Sequence, residues 1–183
     1  MSHRHWHRGQ RVEDWSYDFK APPPDALPKQ VFSTEHALKL NGATLALKYY
    51  GPAHTDSDIS VRFVEADILH AGDTFWNGIY PFIDYSTGGH IDGTISAAEA
   101  NLAATTDQTI IIPGHGAPVG TRAQLLDFRD MLVDVRANVA ALKKRGMSLE
   151  AIVVACPTAA HDAIWGQFVI SPALFTRLVY EGV

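Results

Sequence analysis

"GPAHTDSDISVRFVEADILHAGDTF", Gly51 to Phe75, is the stretch from which the fold can be read. Ile59, Val61 and Phe63 alternate with Ser60, Arg62 and Val64, the period of two expected of a half-buried strand. Glu65-Ala66-Asp67 supplies a turn, and Ile68-Leu69 opens a second apolar run that leads to Gly72-Asp73. Two such runs joined by a tight turn predict an antiparallel hairpin. His54 enters one strand and Asp73 leaves the other. The pairing therefore brings an imidazole and a carboxylate to one end of a sheet, on loops where functional side chains concentrate.

Outward from that hairpin the signals continue. Upstream, "EHALKL" and "TLALKYY" flank Asn41-Gly42, a strong two-residue hairpin turn. Downstream, a loop rich in Gly, Trp, Tyr and Pro runs from Trp76 to Gly93, "TISAAEANLAATT" reads as a helix, and "TIIIP" as a short buried strand ending in Gly114-His115-Gly116. The second half is helical. Thr121 and Gln124 form a capping box, and Leu125, Phe128, Leu132, Val135, Val139 and Leu142 recur at helical spacing up to Gly146. Ser148 and Ser171-Pro172 open two further helices. Strands first, then alternation, then helices predict an α/β fold, a mixed sheet with outer helices. Residues 1–30, with the Pro-rich "APPPDALP", form an irregular N-terminal segment, and residues 31–183 the structured unit.

Composition narrows the function. The 183 residues are 46% hydrophobic and 19% charged, with a formal net charge of −5, which leaves no basic footprint for nucleic acid or an anionic membrane. A single cysteine, Cys156, excludes an internal disulfide and fits a reducing compartment. No apolar run approaches the roughly 18 residues of a membrane helix, and "MSHRHWHRGQ" lacks the apolar core of a secretory signal. The expectation is a cytoplasmic protein.

Three residues share one topological role. His54 precedes a strand, while Asp73 and His115 follow strands. Two imidazoles and a carboxylate suit a divalent metal, zinc first, with iron or manganese as alternatives. The carboxylate is also able to bridge two ions. Taken singly, each has a plainer explanation: His54 held by Asp56 or Asp58, Asp73 as a turn residue, "PGHG" as a turn. Together they favour a metal site. Trp76, Tyr80 and His90 are candidates for a substrate loop, with packing against the helices as the alternative for the aromatics. His70, His161 and Trp165 read as structural.

"PAHTDSDISV", "ILHAGDTF" and "IIPGHG" stand in the order of the G/A-H-T, G-D and P-G-H-G motifs of the metallo-β-lactamase superfamily, which the chain resembles over roughly residues 31–146. The resemblance implies that His54 binds a first metal, Asp73 bridges, and His115 binds a second. It implies a partial αββα sandwich, with residues 31–183 as the C-terminal half, and chemistry in which metal-activated water attacks an ester, thioester or lactam. The family's T-H-x-H-x-D-H motif belongs to the N-terminal half, which this chain lacks. Ser2-His3-Arg4-His5 matches its start, but His7 stands at the Asp position and Arg8 at the last His, so the segment reads as a His-rich terminus, with His3 and His5 left open as ligands.

Three donors for two ions fall short of the roughly three protein ligands a catalytic zinc takes. The expectation is a truncated metal-dependent hydrolase of small molecules with impaired or absent activity, retaining one ion shared by all three residues. The alternatives are a non-catalytic binding module or half of a complemented enzyme. Leu45, Leu47, Ile59, Val61 and Phe63 would meet only one helical layer, which predicts a homo-oligomer or a complementing chain.

Overall fold

The computed structural model describes residues 10–12 and 17–183. A short ribbon of β1 (Gln10–Val12) and β2 (Tyr17–Phe19) precedes a five-stranded sheet. Asn41 and Gly42 both take left-handed backbone, φ 53° and 81°, and fold β3 (Glu35–Leu40) onto β4 (Ala43–Lys48). Next come β5 (Ser60–Phe63), β6 (Ile68–Asn77), the helix α1 (Ile91–Ala103) and β7 (Ile110–Gly116). The strands lie in the order β3-β4-β5-β6-β7. All neighbours are antiparallel except β6 and β7, which are parallel and joined through α1. The sheet is mixed and the helices are external, as the order of sequence signals predicts.

The helices α2 (Arg122–Lys144), α3 (Leu149–Val154), α4 (Asp162–Trp165) and α5 (Pro172–Glu181) complete the chain. The Thr121–Gln124 capping box opens α2, and Gly146, at φ 78°, follows its end. Ser148 and Ser171 cap α3 and α5 through their side chains. The four-residue α4 has no counterpart in the sequence reading, because it is too short for a periodic signal. No helix of the described residues is long and apolar enough to cross a membrane.

Two boundaries depart from expectation. β6 is ten residues long, so Asp73 lies inside the strand and Trp76 belongs to the strand rather than to the loop. The ladder to β7 shifts register on either side of Gly72, whose φ is 54°. Such a bulge re-aims side chains without ending the strand, and Gly-Asp in sequence looks the same as a turn. Helix α1 begins at Ile91, ahead of the predicted start, because the His90 ring Nδ1 accepts the Asp92 N–H and caps it.

One face of the sheet carries the core. Ser60, Leu69 and Ile111 are buried against the helices, which meet the sheet at β6. Phe75 packs edge-on to Phe128, and Tyr80 stacks on Phe175. A buried polar chain crosses this layer: Ser60 Oγ donates to Asn101 Oδ1 (2.8 Å), Asn101 Nδ2 to Thr74 Oγ1 (2.7 Å), and Thr74 Oγ1 to the Ala71 carbonyl (2.6 Å). It ties α1 to β5 and to the segment of β6 that carries Asp73. On the opposite face the strand register aligns Leu38, Leu45, Phe63, Ile68 and Ile110 in one apolar row. The row is exposed at its two ends, Leu38 at 40% and Ile110 at 47%.

Candidate metal centre

His54 is placed by backbone lacing rather than by a strand. Its carbonyl accepts the Asp84 N–H (2.8 Å), the Ala53 carbonyl accepts the His90 N–H (2.8 Å), and the Asp56 N–H donates to the Thr87 carbonyl (3.0 Å). Residues 84–90 therefore lie directly along 53–56. Gly89 is required there, since a Cβ would overlap the His54 carbonyl. The imidazole is oriented by a 2.7 Å contact between Nδ1 and the Phe82 carbonyl. A carbonyl only accepts, so Nδ1 carries the proton and Nε2 is left as the ligating nitrogen.

Asp73 sits on the β6 bulge, and His115 is the penultimate residue of β7, in register with Trp76. The carboxylate lies between the two imidazoles. His54 Nε2 is 3.6 Å from Asp73 Oδ2, and His115 Nε2 is 3.3 Å from Asp73 Oδ1. Side-chain exposure rises from 16% at His54 through 32% at Asp73 to 50% at His115, so the centre opens on the His115 side.

These residues fit a metal pair. In a neutral His54, the Nε2 lone pair faces a carboxylate oxygen, and two acceptors at that range repel unless a cation lies between them. A proton or a metal ion meets that need. Two donors on one ion, with bonds of about 2.0–2.2 Å, stand roughly 3–3.5 Å apart, close to both separations. Each imidazole has its own carboxylate oxygen, the arrangement of a bridging ligand. Among the described residues, however, no three His, Cys, Asp or Glu side chains gather around one point able to hold an ion. A single ion shared by all three is therefore not preformed, and the set is two pairs with Asp73 in common.

The other candidates fall differently. Trp76, 4% exposed, lies against both imidazoles. Tyr80 is fully buried, stacks on Phe175 and donates its hydroxyl to Asp162 (2.9 Å). It packs in the core, the alternative that the sequence offers for this aromatic. His90 is the cap of α1, with its ring facing Tyr85 edge-on. One participant escaped the sequence: the Phe82 carbonyl, which is backbone and leaves no trace in residue type. Gly114, whose sequence context suggests a close backbone approach, stands against Asp73. The Asp58 carboxyl, in the loop after His54, is pushed above the usual carboxylate range. Burial is the main cause, and the nearby Asp73 charge adds to it against the Thr55 N–H and His54. Its proximity to the centre was visible in "HTDSD" only as one of two interchangeable aspartates. His3 and His5 lie outside the described residues.

The fold has counterparts. The Metallo-beta-lactamase superfamily profile matches residues 1–115, and the chain belongs to that superfamily. The match begins upstream of residue 31 and takes in the His-rich segment as well as His54, Asp73 and His115. Among solved structures, the stereoselective inverting sec-alkylsulfatase Pisa1 from Pseudomonas sp. superposes with a TM-score of 0.65 at 16% identity, over 90% of this chain and 27% of that one. Its S233Y F250G double mutant gives 0.63 at 16% identity, over 82% and 26%. A metallo-beta-lactamase from Pontibacter korlensis gives 0.51 at 19% identity, over 58% and 49%. The chain thus spans about a quarter of the sulfatase and half of the lactamase. No curated protein matches it in sequence.

Proposed function

We propose that this chain carries part of a metal-dependent hydrolase centre, with His54 and Asp73 Oδ2 as donors to one divalent ion and His115 and Asp73 Oδ1 as donors to a second. One observation carries the reading: the two oxygens of a single carboxylate each face one imidazole Nε2. Superfamily membership supports it. When bound, a divalent ion, zinc first, supplies an acidified water and a Lewis acid. The protein's part is the rest. Phe82 fixes the His54 tautomer, the bulge at Gly72 aims Asp73, and the half-exposed His115 leaves one side open to a small ester, thioester or lactam. A secondary alkyl sulfate joins that range through the alkylsulfatase likeness.

Each pair supplies two donors where a catalytic zinc takes about three plus water. The ligand count favours low activity in the isolated chain, or completion of the centre by donors from another segment or chain. A non-catalytic binding role is the outcome in which ions bind without turnover. The cytoplasm is the compartment proposed.

Metal content after dialysis against excess zinc tests the reading. The protein should retain zinc, and His54→Ala, Asp73→Ala and His115→Ala should each lower it, Asp73→Ala most because it serves both ions. Retention unchanged in all three variants, or no zinc in the parent, overturns it.

A further inference from the structure

We infer that Trp76 is a positioning residue for this centre: its indole holds the His115 and His54 rings in place about Asp73. The inference rests on the metal reading above and adds to it a residue that donates nothing to an ion. Trp76 touches all three members. Its ring centroid is 4.1 Å from that of His115, with planes 36° apart, and 6.0 Å from that of His54. Its Nε1 donates to the Asp73 carbonyl at 3.1 Å. Trp76 and His115 are register partners across the parallel β6–β7 pair, so the backbone sets this contact as well as the side chains.

The two imidazoles need this contact unequally. His54 is already tied through Phe82 and is 16% exposed. His115 is 50% exposed, on a glycine-flanked strand end, and its contact with Trp76 is the tightest ring packing described for it. An unrestrained surface imidazole loses rotamer freedom when it takes an ion, and a ring already packed has lost that freedom beforehand. The indole packs on the His115 ring while the imidazole Nε2 lies 3.3 Å from Asp73 Oδ1. Trp76 is almost wholly buried itself, so it is fixed by the core and transmits that fixity to the mouth of the site.

The test uses the full chain and two variants, Trp76→Leu, which keeps an apolar side chain without an aromatic plate, and Trp76→Phe, which keeps a plate. Zinc affinity is measured by calorimetry. The metal-free protein is examined by proton NMR, with the His115 Hε1 resonance assigned by its disappearance in His115→Gln. A ring packed on an indole is shifted upfield. The expected result is an upfield His115 signal in the parent that moves to its unstructured position in Trp76→Leu. Zinc affinity should fall about 10–100-fold in Trp76→Leu, the range for partners that orient ligands, and stay within about three-fold in Trp76→Phe. Equal zinc affinity in Trp76→Leu and parent, or a parent His115 signal at its unstructured position, overturns the inference. If the parent binds no zinc, the metal reading fails, and the resonance alone still decides the role of Trp76. If Trp76→Leu does not fold, the parent resonance decides in the same way.

Discussion

The Asp73 carboxylate occupies the space that a side chain at position 114 would fill. A Cβ on Gly114 would overlap Asp73 Oδ1 and crowd the Gly72 carbonyl at 2.7 Å. The glycine of "PGHG" thus works through its missing side chain on a neighbouring strand. Gly114→Ala should push Asp73 off the line between the two imidazoles. The expected cost is about 1–3 kcal/mol from overpacking, read by urea unfolding, together with a loss of zinc affinity of at least ~10-fold, read by calorimetry. An unchanged affinity would show that Asp73 is free to relocate and that its placement is not set by this approach.

Asn101 of α1 is fully buried and bonded at both ends of its amide. Asn101→Leu removes the partner of Ser60 and Thr74 while keeping bulk. Leaving a buried polar group unsatisfied costs about 1–3 kcal/mol, so a loss in that range is expected in urea unfolding. Because Thr74 adjoins Asp73, the same variant should also weaken zinc binding. A variant with parent stability would show that the hydroxyls find other partners.

Much of this was legible in the sequence, and the reasons for success and failure are physical. The Asn41-Gly42 turn, the Thr121–Gln124 box and the helical apolar series of α2 are local devices, and local devices survive in one dimension. The bulge at Gly72 was missed because its cause is a register shift against β7, some 40 residues on, and Gly-Asp alone is equally a turn. Tyr80 was left between a substrate loop and helix packing for a similar reason. Its partners, Phe175 and Asp162, come from the last two helices, and only tertiary packing turns a loop aromatic into core. His54, Asp73 and His115 were singled out by an expected shared position at strand ends; they do lie side by side, but with Asp73 inside β6 and His115 inside β7. The two-pair arrangement was implied by the family resemblance, in which Asp73 bridges; only the choice of which carboxylate oxygen faces which ring was not legible.

Asp58 gives a pH signature with a definite sign. Its carboxyl is raised in the folded state, chiefly by burial, so folding favours the protonated form. That destabilising contribution is absent below the ordinary carboxylate value of 3.8 and is fully felt above the raised folded value. Asp58→Asn keeps an oxygen for the Thr55 N–H, which Asp58 accepts at 2.7 Å, and removes the charge. The variant should melt at a higher temperature than the parent at pH 7, with the difference shrinking as pH is lowered toward that ordinary value. A parent that is the more stable at pH 7 would mean that attraction to His54 outweighs burial.

With zinc supplied, the isolated chain should turn over a chromogenic lactam, a thioester and a secondary alkyl sulfate at well below about 1 per second, under the ordinary enzyme range of roughly 1–10³. The reason is the two-donor pairs. A rate inside that range would show that further ligands are present, and His3→Ala and His5→Ala are then the variants to compare.

The sheet face opposite the helices leads to a proposal about association. Two adjacent cross-strand rows, His36-Leu47-Val61-His70-Ile112 and Leu38-Leu45-Phe63-Ile68-Ile110, carry no acidic, lysine or arginine side chain. Two copies of such a face meet without charge repulsion, and contiguous apolar patches above roughly 300–600 Å² are unusual on monomers. Light scattering at tens of micromolar should therefore give a mass above the 20.0 kDa of one chain. Phe63→Lys, at the centre of its row, should lower the mass toward 20.0 kDa without lowering the melting temperature of the monomer by more than a few degrees, since Phe63 is only partly buried. A parent of 20.0 kDa that is indifferent to Phe63→Lys would mean the face is covered within a single chain.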